Sequence, residues 1–186
     1  MYAYTTDVGQ PGPRRWRTWK RWNRQELTPA LRRWLLDEGS LTARLIDASG
    51  GDFRVRVLAQ SWRRPFADEA RALGMRHAER ALVREVALEC HGKPWVFARS
   101  IVPVATLRGD LRHLRRFGAR SLGALLFATK GTVREVFEVA RIAPEDSVLP
   151  EELRPAEATW ARRSVFRLGD RALLVQEIFL PACRLG

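Results

Sequence analysis

Two pairs of strand-like segments, each pair joined by a short glycine-containing turn, constrain the fold of this chain more than any other feature. The segments are residues 79–90 and 94–104, joined at residues 91–93, and residues 162–168 and 171–180, joined at residues 169–170. A short turn with glycine between two such segments is typical of a β-hairpin, whose strands run antiparallel. The fold must therefore contain an antiparallel sheet.

Two further segments have the same strand periodicity. A period of two recurs over residues 53–57 and 132–142, and Val133, Phe137 and Val139 share one side of the second segment. Strands joined as hairpins, with helices grouped before and between them, indicate an α+β fold. We predict a single domain with an antiparallel sheet of about six strands, in keeping with a length of 186 residues.

Helices are predicted in two regions. Thr28 is a good N-cap residue, and Pro29 suits the first position of a helix that begins there. Another short helix is expected from Ser40. Residues 108–127 are predicted to be helical, with a break at Gly118.

The N-terminal part of the chain divides into a tail and a tryptophan-rich segment. Residues 1–13 contain two prolines and two glycines and are expected to be disordered or weakly docked, which leaves residues 14–186 as the domain. Trp16, Trp19 and Trp22 recur every three residues, a spacing that fits one side of a helical turn. We expect them to pack on the body of the domain, with a nucleic-acid or membrane-surface segment as alternatives.

Arg84 belongs to the apolar face of a predicted strand, because side chains alternate between the two faces. One face carries Leu82, Arg84, Val86, Leu88 and Cys90, whereas the other carries Val83, Glu85, Ala87 and Glu89. The two carboxylates predict that the second face is not the buried one, so Arg84 should point inward. A buried guanidinium needs an anionic or hydrogen-bonding partner, and its planar fork suits the carboxylate of a ligand.

Glu177 lies on the last predicted strand, and water should be scarce around it because both faces of this strand are largely apolar. If the turn at residues 169–170 has two residues, Glu177 faces Arg162 across the hairpin. A structural ion pair of Glu177 with Arg162 or Arg84 would explain these charges about as well as a ligand site would.

The net charge of +12 favours anionic partners. Up to Leu36 there are eight Lys or Arg and two Asp or Glu, and residues 108–120 contain five Arg and one Asp. We interpret these arginines mainly as solvated faces, with a nucleic-acid site as the alternative. A small polyanionic metabolite and an acidic membrane surface are the other candidate partners.

Several classes of protein are not indicated. The two cysteines, Cys90 and Cys183, have no metal-ligand or disulfide spacing, and there is no phosphate-binding loop, nucleophile elbow or zinc pattern. No segment has the length of apolar sequence that a membrane span needs, and the N-terminus lacks the apolar region of a secretory signal. We therefore expect a cytoplasmic protein with free thiols.

Four stretches of sequence, in one order and at similar spacing, carry a family resemblance. They are WLLDEGSLT (34–42), LVRE with GKPW and VPV (82–104), SLG with LF (121–127), and WARRSVFRL with LLVQEIFLPA (160–182). Together they resemble bacterial chorismate pyruvate-lyases over about residues 16–186. The resemblance implies a sheet of about six strands with helices closing over an interior ligand site, and neither a metal nor an organic cofactor.

The resemblance also assigns site residues. Arg84 matches the arginine that holds the aromatic carboxylate, and Glu177 matches the carboxylate near the 4-hydroxyl end, which makes these two the expected catalytic residues. Leu41 and Leu122 match positions that line the site largely through backbone N–H groups. Leu41 stands where methionine is frequent, and Ser121 replaces a proline, but backbone contacts should survive both changes.

Family members of this kind convert chorismate to 4-hydroxybenzoate and pyruvate, the first committed step toward ubiquinone. The expected partners are therefore this substrate and product, with no nucleic acid, no stable membrane insertion and a monomeric state. Arg99 or Arg162 is the expected holder of the second, enolpyruvyl carboxylate. Glu177 is expected either to accept the C4 proton or to bind the hydroxyl.

Three alternatives stay open at this point. The fold resembles the effector-binding domain of certain bacterial transcription regulators, which predicts binding without turnover. The net positive charge is compatible with a nucleic-acid-binding protein, which would retain DNA in a salt-dependent manner. A related lyase that serves glycolipid synthesis is the third alternative.

Overall fold

An antiparallel sheet of eight strands organises the chain in the computed structural model. The structure describes residues 14–184 apart from residues 24, 77 and 136 and the side chains of residues 109 and 110, so the predicted tail at residues 1–13 lies outside it. The strands are β1 (Arg17–Thr18), β2 (Phe53–Arg63), β3 (Ala81–Cys90), β4 (Lys93–Pro103), β5 (Thr132–Arg134), β6 (Glu138–Ile142), β7 (Thr159–Leu168) and β8 (Arg171–Phe179).

Four α-helices and several short 3₁₀ helices connect the strands. The α-helices are α1 (Pro29–Leu35), α2 (Leu41–Ala48), α3 (Ala67–Ala72) and α4 (Leu122–Ala128). The 3₁₀ helices are Trp19–Arg21, Val104–Thr106, Gly109–Arg116, Glu151–Leu153 and Pro181–Cys183. None of the described helices is long and apolar enough to cross a membrane.

The predicted helix starts are confirmed. The hydroxyl of Thr28 accepts a hydrogen bond from the N–H of Leu31, and Ser40 caps α2 in the same way. The region from residue 108 to residue 127 forms a 3₁₀ helix and α4, and it breaks at Gly118, whose φ of 62° suits glycine.

The strand order is β1-β6-β7-β8-β4-β3-β2, with β5 also beside β7, and the two predicted hairpins are β3–β4 and β7–β8. The α+β class and the antiparallel sheet are therefore confirmed. Contact between β4 and β8 joins the hairpins into one sheet. The two-residue turn after β7 places Leu168 opposite Arg171 and Arg162 opposite Glu177, as the sequence predicts.

The segment 132–142 is not one strand. It forms β5 and β6, two separate strands that both pair with β7; β5 ends at Arg134 and β6 begins at Glu138. The break ends the alternation, so Val133 is 61% exposed while Phe137 and Val139 are buried. The prediction that these three residues share one face is therefore wrong.

The tryptophan-rich segment packs on the body, as expected, but not as one helical turn. It contributes β1, which pairs with β6, followed by a 3₁₀ turn at Trp19–Arg21. Trp19 and Trp22 pack with the hydrophobic cluster beneath α1. The ring centroids of Trp22 and Trp160 are 4.9 Å apart there. Trp16 instead packs with a different cluster, so the three rings do not share one side.

Both faces of the sheet are covered. On one face, Leu35 of α1 and Leu45 of α2 join a cluster with Val86, while Leu126 of α4 joins a second cluster with Leu82. The opposite face packs against α3 and the segment 143–153. Every residue of β3 is consequently buried. The prediction that the face with Glu85 and Glu89 is not buried is therefore wrong.

Ion pairs make this second buried face possible. Arg99, which is 3% exposed, pairs through Nε with the fully buried Glu69 of α3 at 2.7 Å and through Nη1 with Glu85. Gln176 donates a further hydrogen bond of 2.6 Å to Glu69. Glu85 also accepts from Arg63 at 2.7 Å. The carboxylates are thus neutralised inside the fold rather than by water.

We expect Arg99→Ala to lower the free energy of unfolding by about 3–5 kcal/mol, because Glu69 and Glu85 would lose their shared counter-ion inside the protein. Urea denaturation measures this change. Arg54→Ala is the matched control: Arg54 is exposed, and Glu89 would keep Arg56 as a partner, so the loss should stay below about 1 kcal/mol. Equal losses in the two variants would contradict the structural role of Arg99.

Candidate active site

Arg84 is a buried arginine without a carboxylate partner among the described residues. It lies on β3 with 5% of its surface exposed. Its Nη2 donates hydrogen bonds of 2.9 Å to the carbonyl oxygens of Gly118 and Arg120, while its Nε has no partner in the described part of the chain. Desolvation by burial lowers the pKa of Arg84 to about 10. An anionic ligand would supply the missing negative charge.

Glu177 carries the negative charge on the same face of the sheet. The carboxylate accepts a hydrogen bond from Nε of Arg162, its cross-strand neighbour, and lies 3.9 Å from Nη2 of Arg134. The predicted pair of Glu177 with Arg162 therefore exists, whereas a pair with Arg84 does not appear among the described contacts. Glu177 is still part of the cavity wall, with its side chain 14% exposed.

Arg162 is fully buried and lies behind Glu177 instead of lining the cavity. Its Nη1 donates to the carbonyl oxygens of Trp34 at 3.0 Å and Asp37 at 2.9 Å, in and just after α1. These contacts make Arg162 a support for Glu177 and for the connection between α1 and α2. The expectation that Arg162 contacts a substrate carboxylate is not supported by this placement.

Arg134 is a cavity residue that the sequence analysis did not identify. It extends from β5 over the ring of Phe137, with 3.9 Å between its Cζ and the ring centroid, and its Nε donates to the Ser164 hydroxyl at 3.0 Å. Burial and then the charge of Arg162 lower its pKa to about 10, although Glu177 acts in the opposite direction. The break between β5 and β6 interrupts the strand alternation that would have predicted the orientation of Arg134.

Leu41 and Leu122 are the first residues of α2 and α4. The N–H groups in the first turn of a helix have no partner within it, so both positions present free donors. The hydroxyls of Thr42 and Ser121 are 2.7 Å apart and hold the two helix starts together. Both leucines belong to the cavity wall, as predicted.

The cavity lies between the sheet and the helices, where the two core clusters of this face meet. Its wall combines Arg84, Arg134 and Glu177 with small polar groups and apolar side chains, namely Leu41, Thr42, Val55, Val86, Leu88, Ala98, Ser100, Ser121, Leu122, Gly123, Phe127, Phe166 and Val175. The cavity volume of about 30 Å³ accommodates about two water molecules, so an aromatic ligand fits only when wall side chains move apart.

The register sets the separation of the two charged ends. Arg84 is aligned with Ser100 and Val175 across β3, β4 and β8, and Glu177 lies two residues beyond Val175. Two strand spacings and two residues along a strand give a Cα separation of about 12 Å between Arg84 and Glu177. One planar ring with a carboxylate at one end and a hydroxyl at the other suits this span.

Arg99 does not contribute to this site. Odd-numbered residues of β4 face α3, and Arg99 pairs there with Glu69 and Glu85, whereas Ala98 and Ser100 face the cavity. The structure therefore places Arg99 outside the cavity, and this placement does not support the expectation that Arg99 holds a substrate carboxylate. Among the described residues, no group of three His, Cys, Asp or Glu side chains could hold a metal ion.

Binding of a carboxylate ligand should weaken as the pH rises through about 10, because Arg84 is then no longer charged. Isothermal titration with benzoate measures this dependence, since benzoate has no other group that titrates in this range. Arg84→Lys should move the midpoint to lower pH, as lysine starts from a lower pKa. A constant affinity across this range, with the fold intact by circular dichroism, would contradict a role for the Arg84 charge.

Comparisons of this chain with known proteins point to one family. The family model described as Chorismate lyase matches residues 15–185. A probable chorismate pyruvate-lyase from Methylococcus capsulatus is 44% identical over 153 residues, covering 80% of this chain and 93% of the relative. One from Azoarcus sp. is 48% identical over 160 residues, covering 82% and 84%.

Solved structures show the fold alone. The PhnF C-terminal domain has a TM-score of 0.54 and 17% identity, covering 72% of this chain and 87% of that one. The ligand-binding domain of a protein described as a GntR-family transcriptional regulator from Bordetella bronchiseptica has a TM-score of 0.52 and 20% identity, covering 69% and 86%. The match of the family model and the identity with its members, over most of the chain, decide the assignment: this chain belongs to the chorismate lyase family.

Proposed function

We propose that this protein eliminates pyruvate from chorismate to give 4-hydroxybenzoate, for use in ubiquinone synthesis. The observation that carries the proposal is the buried Arg84, which has no carboxylate partner in the described chain and lies across an apolar cavity from Glu177. Membership of the chorismate lyase family supports the same substrate.

The ring carboxylate of chorismate binds Arg84 in this proposal. Nε of Arg84, which has no partner in the described part of the chain, donates to this carboxylate, whereas both N–H groups of Nη2 already donate to the carbonyl oxygens of Gly118 and Arg120. The N–H groups at the starts of α2 and α4, at Leu41 and Leu122, supply further donors. Binding a carboxylate here relieves the cost of burying an unpaired charge.

Chorismate has a second carboxylate, on its enolpyruvyl group. Arg134 is the cavity residue that suits this second carboxylate, in place of Arg99 and Arg162, because it is positively charged and lines the cavity. Among the described residues its carboxylate neighbour is Glu177, with 3.9 Å between Nη2 of Arg134 and the Glu177 carboxylate. Arg162 instead fixes Glu177 through a direct ion pair. The two arginines around Glu177 thus have separate tasks: one positions the carboxylate, and the other binds substrate.

Glu177 accepts a hydrogen bond from the 4-hydroxyl group. Its carboxylate lies beside the guanidinium groups of Arg162 and Arg134, and a carboxylate accepts hydrogen bonds but does not donate them. With Arg84 at the opposite end, this contact fixes the ring in one orientation. The result is a ring held at both ends in a site from which water is largely excluded.

The elimination itself needs no net change in oxidation state. The C4–H bond and the bond from C3 to the enolpyruvyl oxygen break, and the C4–H electron pair forms the double bond that makes the ring aromatic. The proton lost from C4 is balanced by the one gained at the methylene carbon of enolpyruvate, which becomes pyruvate. Aromatisation drives the reaction, so orientation and exclusion of water are the main tasks of the protein.

Incubation of the purified protein with chorismate should release 4-hydroxybenzoate and pyruvate in equal amounts. Arg84→Met should lower kcat/KM by about 100-fold or more, because a desolvated carboxylate loses its charged partner. The fold of this variant should be at least as stable as that of the wild type, since an unpaired buried charge is replaced by an apolar side chain. Arg54→Met, on the exposed side of β2, serves as the control with unchanged activity.

Two outcomes would contradict the proposed function. Binding of chorismate without any release of pyruvate would favour a ligand-binding module of the same fold. Salt-dependent retention of DNA together with no turnover would favour a nucleic-acid-binding protein.

Arg134→Met should discriminate between substrate and product. Because 4-hydroxybenzoate lacks the enolpyruvyl carboxylate, we expect KM for chorismate to rise about tenfold or more, corresponding to one charged hydrogen bond, with a much smaller change in product affinity. Steady-state kinetics and product titration measure the two effects. Arg134→Lys should restore part of the loss, and a parallel loss for both ligands would contradict this assignment.

A further inference from the structure

A strongly basic surface lies at one end of the sheet, and its arginines are not part of the cavity wall. Four arginines of one short segment, Arg108, Arg112, Arg115 and Arg116, are exposed. None of them forms a salt bridge with a carboxylate of the described residues. By contrast, the buried arginines of the opposite sheet face, such as Arg99 and Arg163, have carboxylate partners.

The segment is attached to the sheet with these arginines outward. Leu111 and Leu114 of the 3₁₀ helix Gly109–Arg116 are buried in the cluster with Leu82. Gln60 of β2 donates to the carbonyl oxygen of Arg115 at 2.8 Å, and Arg171 of β8 donates to that of Arg108 at 3.1 Å. Both ends of the segment are therefore hydrogen-bonded to strands of the sheet.

Apolar side chains are exposed at the same end of the sheet. Trp62 is 40% exposed and Val104 is 47% exposed, two large values for such side chains. Trp62 is aligned with Leu82 of β3, which is aligned with Val102 of β4, two residues before Val104. The Cζ of Arg115 lies 5.9 Å from the centroid of the Trp62 ring. An aromatic ring and an aliphatic side chain thus accompany these arginines.

We propose that this end of the molecule, Trp62 and Val104 with the four arginines, docks on an anionic lipid surface. A cluster of this many arginines on an amphipathic helix is a known pattern for anionic headgroups, because each charge near such a surface adds to the attraction. An exposed tryptophan suits the boundary between headgroups and acyl chains. Together these features fit peripheral contact without insertion of a helix.

The lipid surface accounts for more of the observations than nucleic acid does. Nucleic acid would use the arginines through phosphate contacts, but the exposed aliphatic Val104 would contribute nothing to them. The docking end also adjoins the cavity. The chain continues from this segment to Gly118 and Arg120, whose carbonyl oxygens accept hydrogen bonds from Arg84. Docking would therefore bring the Arg84 end of the cavity close to the membrane.

Co-sedimentation of the full chain with lipid vesicles tests the proposal. We expect binding to mixed phosphatidylcholine–phosphatidylglycerol vesicles, little binding to pure phosphatidylcholine vesicles, and release at high salt. Arg112→Gln with Arg116→Gln should lower the partition coefficient about 25-fold, since each charge near the surface contributes about a fivefold effect. Trp62→Ala, which keeps every charge, should also weaken binding.

Arg15→Gln with Arg21→Gln is the matched control, because it removes the same charge from the N-terminal surface. An equal loss of vesicle binding in both double variants would overturn the proposal by showing that only net charge matters. Unaltered vesicle binding by Trp62→Ala, or stronger binding of duplex DNA than of vesicles at the same face, would overturn it as well. Chorismate turnover in solution should be unchanged in the Arg112 and Arg116 variant, so failure here is independent of the proposed activity.

Discussion

The burial of Arg84 without a carboxylate partner among the residues that the structure describes is the constraint on which the cavity depends. An unpaired guanidinium inside a protein is unfavourable, and only part of its hydrogen-bonding capacity is used by the carbonyl oxygens of Gly118 and Arg120. Those two carbonyls reach Arg84 because the chain turns at Gly118, in a left-handed conformation that glycine adopts readily. The fold therefore retains a destabilising charge beside an apolar cavity, which is the arrangement expected where a ligand completes the electrostatics.

The opposite end of the cavity is organised by a negative charge and two arginines. Arg162 binds Glu177 and also the carbonyl oxygens of Trp34 and Asp37, while Arg134 approaches Glu177 and, at 3.4 Å, the carbonyl oxygen of Glu38. The connection between α1 and α2 is thus attached to the same groups that surround the ligand site. A ligand that engages Arg134 or Glu177 would therefore contact the same side chains that hold this connection.

Local sequence rules predicted the hairpins and one contact of the site. The two-residue turn at residues 169–170 fixes the register, so Arg162 opposite Glu177 followed directly from counting residues. The position of Arg134 in the cavity wall was not predicted, because the break between β5 and β6 ends the alternation of side chains between the two sheet faces. Glu85 was assigned to the wrong environment because its partner Arg99 and the neighbouring Glu69 come from other elements. Alternation reports which residues share a face, but not what covers that face, and this information resides in contacts between distant parts of the chain.

The excess of arginine in the sequence separates into three physical roles once carboxylates are located. Arg99 and Arg163 lie beside acidic residues inside the fold and stabilise it as counter-ions. Arg84 is buried without such a partner in the described part of the chain, and we propose that a ligand carboxylate supplies it. Arg112 and Arg116 are exposed without a described carboxylate partner, so that water solvates them. These are the charges that we propose to contact an anionic surface. The net charge of +12 is therefore a poor guide to function by itself. The position of each arginine relative to the nearest described carboxylate separates the structural arginines from those that we propose to bind a ligand or a lipid surface.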